Sequence, residues 1–179
     1  MYWNVLITVR PGPGRWRELL GALAGLGRFR PTAFRDVCVG EVADLKAFLE
    51  ALRGAQADAK PWFAHLGRVI PAETTFAFTP ETLAEQFKRA SEPFLERMRS
   101  GSFHVRLERR GLEGKVPSPA IEREVAEHLY ALAERQGKAM RTAFEDPDYV
   151  VAGETVGGEC GVALLTRELR ARFPFVQAH

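Results

Sequence analysis

The chain has 179 residues, 46% of them apolar and 27% charged, which excludes a disordered polypeptide and leaves room for one larger domain or two small ones. Its 25 basic and 23 acidic residues give a net charge of +2, so bulk charge neither demands nor rules out a polyanionic partner. No apolar run reaches the ~20 residues that span a bilayer, and the opening MYWNVLITVRPG has neither the basic n-region nor the cleavage site of a signal peptide; a cytoplasmic protein with no membrane partner is expected.

Residues 2–9 are apolar on both faces, as in a central strand, and Pro11-Gly12-Pro13-Gly14 stops them. Trp16, Leu19, Leu20 and Leu23 then fall at helical spacing, with Gly25 and Gly27 beyond them. Residues 29–34 and 36–39 read as a hairpin or one bent strand ending at Gly40. Asp44 is placed to cap a helix with the stripe Leu45, Phe48, Leu49 and Leu52, closed by Gly54. Residues 62–70 are strand-like, interrupted by Gly67. The order β-α-β(β)-α-β predicts a ferredoxin-like split βαβ domain over residues 1–75.

Residues 71–78 read as the connection to a second domain, 76–179. Thr79 and Pro80 suit the start of a helix carrying Leu83, Phe87, Ala90, Phe94 and Met98, which must kink or restart at Pro93 with Ser91 as its cap. In SFHVRLER, Phe103, Val105 and Leu107 point one way and His104, Arg106 and Glu108 the other, a half-buried strand. Ser118 and Pro119 open a helix with Ile121, Val125, Leu129 and Leu132 inward and Gly137 just past its end. Residues 149–156 and 160–165 flank Gly157-Gly158-Glu159 as a hairpin, and Thr166 caps a short last helix. The fold class is therefore α+β: a ferredoxin-like domain followed by an α/β domain.

Most chemical signals fail on inspection. RPGPGRW follows a strand and opens a helix, as a phosphate loop does, but it lacks the Gly-Lys-Ser/Thr and GxGxxG patterns, and its prolines remove amide donors. The four histidines show no metal-binding spacing, and Cys38 and Cys160 lie in apolar surroundings as buried thiols of a reducing compartment. Glu122, Glu124 and Glu127 read as a solvated helix face. With no nucleophile beside its base and no cofactor loop, neither an enzyme, a cofactor nor a metal is expected.

One constellation survives. Between Arg97 and Lys115 there are six basic residues and two acidic ones. Arg106 projects from the outer face of the strand, Arg109 and Arg110 lie at its end, and Lys115 enters the next helix. Arginine forks suit phosphate oxygens, yet surface arginines also simply solvate a sheet edge, and spacing alone supports both readings. Lys138, Arg141, Arg167 and Arg170 are further candidates for phosphate contact, the first to consider if the strand end is not the site.

TFAFTPETLAEQFKRASEPFLERMRSGSFHVRLERRG, PSPAIEREVAEHL and FEDPDYVVAGETVGGECGVALLTREL together resemble a THUMP domain, the RNA-binding module of tRNA-modifying enzymes. The unit before them is similar to the ferredoxin-like domain that accompanies it. The whole chain, with nothing after the THUMP unit, resembles the stand-alone adaptors that assist tRNA cytidine acetyltransferase. This resemblance implies binding of tRNA, rather than DNA, at the acceptor stem and 3′ end, with Arg106, Arg109, Arg110 and Lys115 matching the family's basic strand end. It implies a partner enzyme such as an acetyltransferase. An enzyme with its site between the domains and a protein-interaction module without RNA remain the alternatives.

Overall fold

A computed structural model describes residues 2–179, which form an α+β fold with two sheets. The chain divides into two compact units: one runs to Ala72 and includes Arg170–Gln177, the other holds Glu73–Leu169 with Ala178–His179. Segment 170–177, expected in the second domain, thus lies in the first. Its Phe173, Phe175 and Val176 are buried, and the Val69 amide donates to the Phe175 carbonyl at 2.8 Å.

In the first unit, β1 (Val5–Val9), β2 (Arg28–Pro31), β3 (Val37–Glu41) and β4 (Leu66–Pro71) make an antiparallel sheet in the order β2-β3-β1-β4. With helices α1 (Arg15–Leu23) and α2 (Leu45–Ala57), this is the split βαβ arrangement. β1 is interior, so Val5, Leu6 and Ile7 are fully buried, which explains its apolar residues on both faces. The two candidate segments after α1 form a hairpin, β2–β3. Asp44 caps α2 by accepting the Ala47 amide at 3.0 Å.

One expectation fails here and another is met only in part. Gly54 does not close α2, which continues through good helix formers to Ala57; Ala59, at φ 51, follows in the left-handed region. Gly67 lies inside β4, where the interruption read at it is a break in pairing rather than in the strand: the β1–β4 register shifts between Ile7 and Val9, with Gly67 and Arg68 across from Thr8. Glycine is required there because a Cβ would sit 2.5 Å from Thr8 Oγ1 and 2.8 Å from the Thr8 carbonyl, while Trp62 belongs to a preceding 3₁₀ turn, Pro61–His65.

The second unit contains β5 (Thr74–Ala77), α3 (Leu83–Ser91), β6 (Gly101–Glu108), α4 (Ser118–Arg135), β7 (Met140–Thr142), β8 (Tyr149–Val156), β9 (Glu159–Thr166) and the start of α5 (Arg167–Arg172). Its sheet order is β5-β9-β8-β6-β7. β6 runs parallel to both neighbours; the other pairs are antiparallel. Phe103, Val105 and Leu107 of β6 join Phe87 of α3 and Val125 and Leu129 of α4 in one core. Val125 and Leu129 are fully buried, each worth roughly 1.5–3 kcal/mol.

β5 corrects the expected linker: Thr74 to Ala77 pair with Val162 to Glu159. At Pro93 the helix passes into a 3₁₀ segment, Glu92–Arg97, but Ser91 does not cap it; its hydroxyl donates back to the Phe87 carbonyl at 2.8 Å. Leu132 is only partly buried, and Ala133 takes the inward position a turn after Leu129. The β8–β9 loop has two residues, not three, since Glu159 already pairs with Val156; Gly157, at φ 61, supplies the left-handed conformation such a turn needs. Thr166 caps α5 by accepting the Leu169 amide at 3.1 Å.

Candidate nucleic-acid interface

β6 is the axis of the candidate surface. Its core-facing residues contact the helices, so strand alternation puts Ser102, His104, Arg106 and Glu108 on the opposite face. Ser102 is in register with Arg141 of β7, so Arg141 shares that face, whereas Met140 packs on the core and Thr142 bonds the Tyr130 hydroxyl of α4. On β8 and β9 the same face is buried at Val150, Ala152, Ala163 and Leu165. Exposure is therefore confined to the β6–β7 side.

The eight basic candidates do not form one cluster. Arg109, Arg110 and Lys115 lie beyond the C-terminal end of β6; Lys138, Arg141 and Arg167 gather around its N-terminal end; Arg106 stands between them; and Arg170 follows Arg167 by three residues on α5, whose second half is counted with the first unit. Eight strand residues, about 26 Å at the usual rise, separate the two ends.

At the C-terminal end only part of the charge is available. Arg110 is a correction: its Nη1 lies 2.5 Å from Glu154 Oε2, with the side chains only 11% and 1% exposed. Its backbone is tied to the β8–β9 hairpin too, since its amide donates to Thr155 Oγ1 at 2.8 Å and its carbonyl accepts the Gly157 amide at 3.0 Å. It is a structural cation rather than a docking one. Arg109 Nη1 donates to the Gly111 carbonyl at 2.6 Å, which leaves its other N–H groups. Lys115 is exposed and without a side-chain partner among the described residues, three residues before Ser118, where α4 and its positive dipole end begin. Arg106 is half-buried; its Nη2 lies 3.5 Å from His179 Nδ1, and its Nε has no partner.

Part of the acidic face of α4 is also committed within the unit. Glu122 accepts the Leu107 amide at 2.9 Å, closing the edge of β6 where β7 has ended, and Glu124 pairs with Lys88 at 3.0 Å. The reading of the three glutamates as a solvated face holds for Glu124 and Glu127, which are exposed, and fails for Glu122.

At the N-terminal end two more candidates are tied down. Lys138 Nζ donates to the Leu95 carbonyl. Arg167 grips the turn before β8, with Nη1 2.6 Å from Asp146 Oδ1 and Nη2 3.3 Å from Asp148 Oδ1, and these carboxylates raise its already high pKa. The Ser102 amide, foremost, with the Ser102 hydroxyl and Arg167, holds Asp148 below the usual carboxylate range. Arg141 is exposed and its side chain has no partner among the described residues. Sequence reasoning missed exposed Arg99, whose amide donates to the Tyr149 hydroxyl at 2.9 Å, and Phe144. Phe144 carries no periodic signal; a lone aromatic in a polar turn was the only trace.

Cys38 and Cys160 are buried and unpaired. Burial pushes the Cys38 thiol up to about 12 and Cys160 higher still, which makes both poor nucleophiles. Among the described residues no group of three or more His, Cys, Asp or Glu converges as metal ligands, and no helix is long and apolar enough to cross a membrane.

No protein-family model and no curated protein matches the chain. Solved structures do. TrmN from Thermus thermophilus superposes with a TM-score of 0.62 at 19% identity, over 89% of this chain and 44% of that one. PH1313 from Pyrococcus horikoshii OT3 gives 0.56 at 14%, over 91% and 55%. A 4-thiouridine synthetase crystallised with RNA and bound ATP gives 0.54 at 14%, over 92% and 42%. The chain spans about half the length of these proteins and shares its fold with that half.

Proposed function

We propose that this chain is a THUMP-type RNA-binding protein that holds tRNA by backbone and shape at the acceptor stem and 3′ end. It presents the tRNA to a separate modifying enzyme, with cytidine acetylation as the reaction served, and performs no chemistry itself. One observation carries the reading: a protein crystallised in complex with RNA, the 4-thiouridine synthetase, shares the fold across 92% of this chain. Supporting it, Lys115 and Arg141 stand free at the two ends of β6, and Arg109 retains unused donors, so phosphate contacts need no internal ion pair to break.

The test is a gel shift with bulk tRNA, followed by nucleoside mass spectrometry after incubation with acetyl-CoA or S-adenosylmethionine. A shift with unchanged nucleosides is expected. A new nucleoside made by the purified protein makes it an enzyme, and no shift at all makes it a protein-interaction module.

A further inference from the structure

Phe144 is 78% exposed, one of two large hydrophobic side chains left in solvent among the described residues. Its loop is firmly held. The Ala143 amide donates to the Phe103 carbonyl at 3.2 Å, and His104 Nδ1–H donates to the Ala143 carbonyl at 2.9 Å. Two residues on, Arg167 Nη2 donates to the Asp146 carbonyl at 2.8 Å, and Asp148 Oδ2 accepts the Ser102 amide at 2.9 Å. Asp146 is held in the left-handed region at φ 43. This bonding fixes the backbone on both sides of an apolar ring without burying it. The His104 ring lies beside it, centroids 5.7 Å apart and planes at 34°.

We propose that Phe144 and His104 form a stacking platform for one unpaired nucleobase of RNA, with Arg141 taking the adjoining phosphate. The proposal rests on the RNA-binding reading and adds a site to it. Every base offers a π-face to an aromatic ring whatever its sequence, and a nearby free cation supplies the backbone contact. Arg141 shares the face of His104 and is free. The neighbouring acids do not reverse this: Asp146 and Asp148 are paired with Arg167, leaving exposed Glu145 against Arg141 and Arg99. A protein partner fits less well. An interface anchor is surrounded by contacts that exclude water, whereas Phe144 is followed by Glu145 and Asp146 and is the one exposed large hydrophobic among the described residues of its unit.

The experiment is fluorescence anisotropy at fixed salt with two labelled probes: a hexa-adenylate ribonucleotide and an abasic ribose-phosphate strand with the same number of phosphates. Wild-type protein should prefer hexa-adenylate. Phe144→Ala should lower hexa-adenylate affinity about fivefold or more while leaving the abasic strand unaffected, and Phe144→Trp should retain the preference. Arg141→Ala should weaken both probes. Because the ring is exposed, Phe144→Ala should melt like wild type. The proposal is overturned if wild type shows no base preference, if it binds neither probe, or if Phe144→Ala binds hexa-adenylate normally. It is equally overturned if that variant loses a purified protein partner with RNA affinity intact. A normal tRNA shift alongside any of these failures leaves the RNA-binding reading standing; loss of the shift in wild type removes both.

Discussion

Arg110 and Glu154 form a buried ion pair, Nη1 to Oε2 2.5 Å, that joins the end of β6 to β8. Glu154 is in register with Glu108, so without Arg110 two carboxylates would sit side by side, one of them 1% exposed. Removing one partner of such a pair costs about 3–5 kcal/mol, because the other is left as a buried charge. Arg110→Ala is therefore expected to lower the urea midpoint strongly, as followed by circular dichroism. Arg110→Ala with Glu154→Leu should recover most of the loss. A single variant as stable as wild type would contradict the pairing.

RNA affinity should fall steeply with salt, each phosphate contact contributing roughly −0.7 to −0.9 to the slope of log K against log salt. Lys115→Glu and Arg141→Glu each remove one free cation, so each should flatten the slope by about that amount and weaken tRNA binding. Glu127→Lys, on exposed α4 surface, controls for net charge. A gain there as large as the losses would mean that net charge alone drives binding.

The two thiols should be silent in the native protein. With Cys38 at about 12 and Cys160 higher, the thiolate fraction at pH 8 is negligible, and both side chains are buried. Ellman's reagent should label neither before denaturation and both after it.

Asp148 makes one acid-sensitive link. Its folded pKa lies below the unfolded value, so its contribution is complete above the ordinary carboxylate pKa of about 4 and is lost as pH falls through the lower, folded value. Wild type should thus lose stability over that acid window. Asp148→Asn should lose part of that pH dependence while being less stable at neutral pH, which acid and urea titrations will measure. Identical acid profiles would remove Asp148 from this role.

Much of the architecture was legible in the chain. The alternation of SFHVRLER located β6 and its two faces, and Asp44 and Thr166 marked real caps. Short edge elements were not. β7 has three residues and β5 four, too few for a period to show, and both become strands only because a neighbour offers a ladder. Gly67 marks a register shift rather than the end of a strand: the close approach of Thr8 requires a glycine there, and in sequence the two look alike.

Local order by itself determined which residues could be strand, helix or cap, since periodicity and capping act over a few positions. It also placed the arginines near the end of β6. Only the tertiary structure decided which of them are free. Arg110 meets Glu154, 44 residues away, because β6 and β8 run parallel in one register, and Arg167 meets Asp146 and Asp148 because the β8–β9 hairpin returns it to that turn. A charge is available to a phosphate only when no carboxylate lies within a few ångströms, and that distance is set by strand register rather than by sequence spacing.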